Sequence, residues 1–369
     1  MPGASAAWSR SRVLAILFLV SIGLCLLPAS VSGDPSPSLL EVACGAADRA
    51  IAPLAAAPAP IRYGFFTDFD PLSHAATQDP SAPAFDVPLG YQPALIAAIG
   101  TLSDGRVRFA PRGIGNPFSG IWLRSADADF DLVGGGITAL EQRRYDPQVP
   151  ATARITFGVG HVRFRQSLLV RNDTAIRHHG DLDRTTAVAA LRGTTGESRL
   201  LQLAGVTDQE GYVTAGTVIE VGVDTKLVTG ERTHRITPSS VTPGLEARER
   251  LHAPDAPRVI YLPSENAQVE ALTSGRVDAV ARGEIGNLIA AGASAGALRV
   301  TAIDAANTER GAFSYPNTEA GDRLRPAMDA LLTCLTDAGA IGFPQWHADA
   351  QVFQERAARL AAALASVRE

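Results

Sequence analysis

Two kinds of apolar stretch, one short and one long, recur along the chain, and together they predict a mixed α/β protein. Short apolar runs such as Ile61–Phe66 and Val259–Leu262 are typical of buried strands. Longer stretches rich in Ala and Leu, at residues 38–55 and 321–369, predict helices at the two ends of the folded region. Between them, strand-like and helix-like segments follow one another, so we expect helices packed on strands that form sheets.

The pattern is most informative where a strand, a glycine turn and a helix start follow one another. The apolar run Phe130–Val133 leads into Gly134–Gly136, and Thr138 with Glu141 three residues later has the spacing of a capping box. A helix beginning here would bring backbone amides, a hydroxyl and the guanidinium of Arg143 together, a set that suits a carboxylate. These residues alone support an equal alternative to a carboxylate site. In that alternative Thr138 only caps the helix and Arg143 is a solvated surface charge.

A second capping box predicts another helix start later in the chain. Thr194 and Glu197 have the same spacing, and the preceding glycine turn aims the first amides of this helix away from the strand before it. Thr195 lies beside those amides. A capped helix without a ligand is the alternative for this stretch.

Composition and charge restrict the class of protein. The 369 residues are 46% apolar, which is enough for two domains with cores of their own. A formal net charge of -5, with charges of both signs interspersed, argues against a nucleic-acid partner.

The N-terminal segment has the features of an export signal. Arg10 and Arg12 precede an apolar run over 13–27, and small residues follow at 28–33. We therefore predict a cleaved signal peptide at 1–33 and a periplasmic or extracellular protein. Lipidation at Cys25 is disfavoured because Leu24 stands where a lipoprotein signal has a small residue.

Motifs for metals, nucleotides and nucleophilic catalysis are not found. His178, His179, Asp181 and Asp183 are close in sequence, but their spacing is neither a helical pair nor a zinc signature, so a solvated turn is predicted. We find no phosphate-binding loop, no dinucleotide fingerprint and no nucleophile elbow. We expect no metal and no cofactor.

Taken together, the chain resembles family 3 of the extracellular solute-binding proteins, the polar amino-acid receptors of bacterial ABC importers. The resemblance rests on the glycine stretch at 134–144, on Gly193-Thr-Thr-Gly-Glu197 and on Leu272-Thr-Ser-Gly-Arg-Val-Asp278. It spans Arg62 to Trp346 apart from residues 211–257, which we predict to be an inserted hairpin or loop.

The resemblance implies a bilobal periplasmic-binding-protein type II fold with two crossover segments. Lobe one would consist of residues 34–164 and 312–369, and lobe two of residues 165–311. We also predict a disulfide between Cys44 and Cys334, because both lie on helical patterns assigned to lobe one, the compartment is oxidising and no third cysteine competes after signal cleavage. Two free thiols are the alternative.

The same resemblance implies the ligand site. Two aromatic side chains would bracket the ligand, and the residues of both helix starts would hold its α-carboxylate. Most family members bind the ligand's ammonium group with an Asp at the position of Gly283, and Glu284 follows here as a candidate replacement. In an extended segment the side chain of Glu284 would point to the opposite face from residue 283. We therefore expect a ligand whose amine is absent, modified or held elsewhere, with amino acids as the family default. The predicted ligand-binding residues are Phe69, Phe118, Gly136, Thr138, Arg143, Thr195 and Glu284.

The implied function is capture of a small carboxylate-bearing solute, an amino acid or a similar compound. A monomeric receptor would deliver this solute to an ABC transporter permease and would perform no chemistry. The alternative is an enzyme similar to the cyclohexadienyl or arogenate dehydratases, which share this fold. Such an enzyme needs a general acid in its cleft, and Glu284 or Glu197 is the candidate.

Overall fold

A computed structural model describes residues 39–368 and arranges their helices around two main sheets. The predicted signal peptide at 1–33, with Cys25, lies outside the described residues. The helices are α1 (Leu39–Ala55), α2 (Tyr91–Leu102), α3 (Thr195–Leu203), α4 (Glu265–Thr273), α5 (Glu284–Ala293), α6 (Glu319–Leu335), α7 (Phe343–Ala348) and α8 (Val352–Arg368). Within residues 39–368, no helix has both the length and the apolar character that a bilayer span requires.

The strands are mostly short and are numbered in chain order. They are β1 (Ile61–Phe66), β2 (Asp68–Phe69), β3 (Ser73–Ala75), β4 (Pro88–Leu89), β5 (Phe109–Ile114), β6 (Leu132–Gly134), β7 (Tyr145–Asp146), β8 (Val149–Ala153), β9 (Ile155–Phe157), β10 (Val162–Arg171), β11 (Ala187–Ala190), β12 (Val218–Val221), β13 (Asp224–Leu227), β14 (Arg250–His252), β15 (Arg258–Tyr261), β16 (Ala279–Gly283), β17 (Leu298–Thr301), β18 (Thr308–Gly311) and β19 (Ser314–Pro316).

The first sheet has the strand order β5-β1-β6-β19-β9, and β1 runs parallel to both of its neighbours. The bounds of β1 are those that its apolar run predicts. Tyr63 and Phe65 on this strand are fully buried and belong to one core with Leu95 of α2 and Leu332 of α6. Burial on both faces explains why β1 reads as a nearly continuous apolar run.

The second sheet has the order β13-β12-β14-β15-β11-β16-β10-β17 and a separate core. Its central strand β11 is buried throughout and runs parallel to β15 and β16. Residues 211–257 are part of this sheet. The hairpin of β12 and β13, followed by β14, continues the sheet beyond β15, so the segment extends the second core.

Two adjacent strands connect the sheets. The first half of β10 pairs with β18, from Val162 opposite Gly311 to Arg165 opposite Thr308. Its second half pairs with β16 and β17 of the second sheet. The chain enters the second sheet through β10 and returns to the first through β18. Two sheets with their own cores and two linking strands confirm the predicted bilobal α/β fold.

The helix predicted to begin at Thr138 is wrong. Residues 137–139 are extended beside β18, where the amide of Ala139 donates to the carbonyl of Arg310 and the amide of Ala312 to that of Ile137. Only a short 3-10 turn, Glu141–Arg144, follows, and it has no side-chain cap. Pairing with the returning strand takes the backbone hydrogen bonds that a helix would need. Residues Ile121–Ala126, before β6, also form a 3-10 helix.

A disulfide joins Cys44 of α1 to Cys334 of α6, the pair that the sequence suggests. Their Cα atoms are 4.9 Å apart, within the range that the bond allows. Both residues are buried in the core of the first sheet. The bond therefore anchors the N-terminal helix to a helix that is 290 residues later in the chain.

Removing this bond should destabilise the protein. A Cys44→Ser/Cys334→Ser double variant should lose about 2 to 5 kcal/mol of unfolding free energy, because the closed loop restricts the unfolded chain. Denaturant titrations with and without a reductant measure the loss, and the reductant should have no effect on the double variant. Alkylation of both Cys44 and Cys334 in the unreduced protein, read by mass spectrometry, would contradict the bond.

Candidate ligand-binding site

A small cavity lies between segments that belong to the two sheets. Its volume is about 30 Å³. Among the predicted ligand residues, all except Glu284 line it. The lining residues used below are Phe69, Phe118, Gly136, Thr138 and Arg143 from the side of the first sheet, and Gln166, Thr195, Gly196, Glu265, Arg282 and Gly283 from the side of the second.

One wall of the cavity is aromatic. The rings of Phe69 and Phe118 stack on each other with centroids 5.7 Å apart and an angle of 20° between their planes. Gly136 has a φ of +70°, and a Cβ atom there would be 2.3 Å from Cδ1 of Phe69. Only glycine fits this position, because any side chain would have both a strained backbone and a clash. The two rings thus form one apolar surface against the glycine turn.

The N-terminus of α3 forms the wall on the other side. Thr194 caps this helix by accepting a hydrogen bond from the amide of Glu197 at 3.1 Å. The carboxylate of Glu197 turns back to accept from the amide of Gly193 at 2.7 Å. The amides of Thr195 and Gly196, in the first turn, have no acceptor among the described residues. Both residues line the cavity, so the positive end of a helix faces it.

Four polar side chains form a hydrogen-bonded group where the two sides meet. We call Thr138, Gln166, Thr195 and Glu309 the polar quartet. Thr138 Oγ1 is 3.0 Å from Glu309 Oε2, and Gln166 Nε2 is 2.9 Å from both Glu309 Oε1 and Thr195 Oγ1. The two threonine hydroxyls are 3.4 Å apart. The quartet brings together Thr138 and Thr195, which are 57 residues apart in the chain.

Arg143 is buried beside the quartet, with only 1% of its surface exposed. Its guanidinium lies 4.1 Å from the centroid of the Trp122 ring, a cation–π contact. It donates to three carbonyl oxygens, those of Pro238 at 3.1 Å, Thr138 at 3.2 Å and Gly193 at 3.0 Å. A guanidinium has five N–H groups, so two are left for a ligand.

Burial also affects the charge of this side chain. Loss of water lowers the pKa of Arg143 to about 9, and the nearby charge of Glu309 opposes this change. The side chain therefore stays protonated at neutral pH. A buried cation at this position favours an anionic partner, as the sequence suggests. The alternative, a solvated surface charge, does not apply, because Arg143 is buried.

The far end of the cavity holds a buried ion pair that the sequence motifs did not indicate. Arg282 Nη1 donates to Glu265 Oε2 at 3.0 Å. Arg282 is fixed by Asn287 Oδ1 and by the carbonyl of Gly286, each at 2.7 Å. A signal was present, because Arg282 interrupts the buried apolar strand β16 and a charge there needs a partner.

Glu265 has an unusual protonation equilibrium. Burial raises the pKa of its carboxyl group to about 7, Arg282 opposes the shift, and the charges of Asp68 and Asp70 add to it. The group is therefore partly protonated at neutral pH.

Glu284 and Glu197 both have arginine partners away from the cavity. Glu284 Oε2 is 2.7 Å from Arg165 Nη2, and the backbone amide of Arg165 also donates to this carboxylate. Glu197 forms a fully buried ion pair with Arg248. Neither carboxylate lines the cavity. The structure thus does not bring Glu284 together with the other predicted ligand residues.

Glu265 should make the stability of the protein depend on pH. Its pKa in the folded state is above its value of 4.5 in the unfolded chain, so the folded state binds the proton more tightly. The resulting stabilisation is complete below pH 4.5 and is lost as the pH rises through 7. Between pH 5 and pH 8 the wild type should lose about 2 to 3 kcal/mol more unfolding free energy than Glu265→Gln.

Denaturant titrations of both proteins at the two pH values measure this difference. Because the variant keeps every other titrating group, the comparison isolates Glu265. Equal losses in the two proteins would show that the carboxyl group titrates normally.

Comparison with known proteins gives the fold and no closer relationship. No protein-family model matches the chain, and no curated protein matches it. Among solved structures, the substrate-binding protein of an amino acid ABC transporter is 15% identical with a TM-score of 0.50, over 80% of this chain and 100% of the other. An ancestral arginine-binding protein bound to glutamine is 15% identical with a TM-score of 0.50, over 80% and 97%.

A third solved structure is the ancestral amino acid-binding protein AncCDT-1, described as a precursor of cyclohexadienyl dehydratase. It is 16% identical with a TM-score of 0.50, over 78% of this chain and 94% of the other. At this level of identity the likeness shows the fold alone. The chain thus has the bilobal α/β fold that these amino-acid-binding proteins share.

Proposed function

We propose that this protein is a solute-binding receptor that captures a small carboxylate-bearing, amino-acid-like compound in the cavity between its two sheets. One observation carries the proposal. The hydroxyl of Thr195, the free first amides of α3 and the buried guanidinium of Arg143 all line the cavity, and they come from both sheets. A group held by both sides can couple ligand binding to closure of the cleft.

The donors at this end suit a carboxylate. Buried N–H groups without an acceptor are costly, and the amides of Thr195 and Gly196 together with two N–H groups of Arg143 have none among the described residues. A carboxylate offers two oxygens with several acceptor positions, so it satisfies these donors and neutralises the arginine. Its aliphatic stem would lie on Phe69 and Phe118, where burial contributes on the order of 25 cal/mol per Å².

Ligand entry requires the cleft to open. A cavity of about 30 Å³ holds water and is too small for an amino acid. We propose that the lobes, with boundaries near residues 164 and 311, separate by bending at β10 and β18, the strands that link the sheets. Opening would separate Thr138 from Thr195, and the bound ligand would lie between them in a liganded state whose cleft is wider than this cavity.

The fold and the predicted signal peptide together support a role in solute import. We propose that the receptor acts as a monomer outside the cytoplasm and delivers its ligand to an ABC transporter permease. The solved structures that share the fold include the substrate-binding protein of such a transporter, which supports this role.

An enzymatic function, similar to a cyclohexadienyl dehydratase, is favoured by one observation. Glu265 lines the cavity and its pKa is raised to about 7, which suits a general acid. Glu197 and Glu284 do not reach the cavity, so the acid in this alternative is Glu265. Turnover of arogenate that is lost in Glu265→Gln would establish the enzyme, whereas unchanged arogenate on prolonged incubation would exclude this reaction.

Substitution of Thr195 tests the proposed receptor site. Thr195→Val keeps the shape and removes the hydroxyl, whereas Thr195→Ser keeps the hydroxyl. For the amino acid that stabilises the wild type most in a thermal-shift panel of the twenty standard amino acids, affinity should fall about 10- to 100-fold in Thr195→Val, the equivalent of one hydrogen bond to a charged group. Thr195→Ser should bind nearly as tightly as the wild type.

Isothermal titration calorimetry measures both affinities, and circular dichroism checks that both variants fold. Equal affinity for the ligand in the two variants would place the carboxylate elsewhere.

A further inference from the structure

We propose that Glu309 supplies the counter-charge for a cationic group of the ligand, acting through Thr138 and Gln166, which contact that group directly. This inference rests on the proposed function and assigns the second charged group of the same ligand. Glu309 is a positioning residue, since it lies behind the two side chains that line the cavity.

The hydroxyl of Thr138 donates its hydrogen to Glu309. An ionised carboxylate only accepts hydrogen bonds, so the contact of 3.0 Å with Glu309 Oε2 uses the one hydrogen of Thr138. The hydroxyl then offers only lone pairs to the cavity. It can accept from a ligand but cannot donate to a carboxylate, which differs from the role that the sequence suggests for Thr138.

Gln166 has a buried acceptor without a partner among the described residues. Both hydrogens of Gln166 Nε2 are used, one on Glu309 Oε1 and one on Thr195 Oγ1. Gln166 Oε1 is buried and accepts no hydrogen bond from any described residue. The opposite orientation of the amide would place an oxygen against the carboxylate, so it is disfavoured. An unpaired buried acceptor costs stability, and a donor on the ligand would remove this cost.

The charges around Glu309 balance only if the ligand also carries a cation. Glu309 is 8% exposed and forms no ion pair with any described residue. Arg143 is the nearby cation whose pKa it affects, and Arg143 is also the proposed partner of the ligand carboxylate. A simple carboxylate would therefore leave two buried anions for one cation. A ligand with a carboxylate and an ammonium group brings both charges and leaves the site balanced.

The two proposed charge sites are also adjacent, as the two charged groups of an α-amino acid are. The acceptors Thr138 and Gln166 both contact Thr195 in the quartet, and Thr195 belongs to the proposed carboxylate site. A cation held by the first two would thus lie next to an anion held at the third. Glu309 and Gln166 thereby provide the contacts to an ammonium group that Gly283, which has no side chain, cannot make.

The strand register offers a rescue test. Gln166 pairs directly with Gly283 between β10 and β16, so a side chain at 283 would lie beside that of Gln166. A Cβ atom at Gly283 would meet nothing closer than Phe164 Cδ2 at 3.4 Å, an ordinary contact. Gly283→Asp can therefore place a new carboxylate near the proposed cation.

The experiment measures binding of the twenty standard amino acids and of the 2-oxo acids pyruvate, 2-oxoglutarate and phenylpyruvate by thermal shift and calorimetry. The wild type should bind an amino acid more tightly than any 2-oxo acid. In Glu309→Gln, affinity for that amino acid should fall about 10- to 100-fold, the equivalent of losing a charged hydrogen-bond partner, without an equal loss for 2-oxo acids. Adding Gly283→Asp should restore part of the amino-acid affinity.

Glu319→Gln on α6 is the matched control, since this glutamate is exposed and pairs with Arg323, and it should leave affinity unchanged. Circular dichroism verifies the fold of each variant. If amino-acid affinity survives in Glu309→Gln, or if Gly283→Asp restores nothing, the role of Glu309 is refuted while the proposed receptor function stands. If the wild type binds a 2-oxo acid more tightly than any amino acid, the role of Glu309 is likewise refuted and the receptor function stands. If no compound of the panel binds, both proposals fail.

Discussion

The hydrogen-bonded group in which Thr138 contacts Thr195 and Glu309, and Gln166 contacts Thr195 and Glu309, is the constraint on which the closed structure depends. These four side chains join the two sides of the cleft through hydrogen bonds of 2.9 to 3.4 Å. Three of the four are more than nine-tenths buried, so each lost bond would leave a polar atom away from water. The closed cleft is thus specified by polar groups at its centre, and the apolar cores lie on either side.

Arg143 adds a second connection across the same cleft. One of its N–H groups reaches the carbonyl of Pro238, and another reaches that of Gly193, both on the side of the second sheet. Pro238 belongs to residues 211–257, which also extend the second sheet. The inserted segment therefore contributes directly to the position of a candidate ligand-binding side chain. Replacement of this arginine would affect closure as well as ligand affinity, since three buried carbonyl oxygens would lose their donor.

The sequence predicted the fold because its strongest signals are local. The run Ile61–Phe66 became a strand with the predicted bounds, and Thr194 caps α3 as its spacing with Glu197 indicates. The helix predicted to begin at Thr138 was wrong because its capping-box spacing occurs in a segment that pairs with β18. This partner strand lies about 170 residues later in the chain. Long-range pairing overrode a local helix signal, which short motifs do not reveal.

The candidate site was predictable where its residues lie in recognisable local motifs, and it was not predictable where they depend on distant partners. Phe69, Phe118, Gly136, Thr138, Arg143 and Thr195 line one cavity, and each lies in a segment whose pattern resembles a known family. Glu265, Gln166 and Glu309 were missed because their importance comes from partners distant in sequence. Glu284 was chosen for its position beside Gly283, but Arg165 on the neighbouring strand holds its carboxylate. Adjacency in sequence did not give adjacency in space.

We propose that the cavity between the sheets binds one small molecule carrying both a carboxylate and an amine. Mass spectrometry of the native protein, followed by release and identification of co-purifying small molecules, is the decisive measurement. We expect one molecule per chain, with both groups present, whose occupancy is reduced in Thr195→Val. An amine-free acid, or a bound molecule whose occupancy does not depend on Thr195, would contradict this proposal.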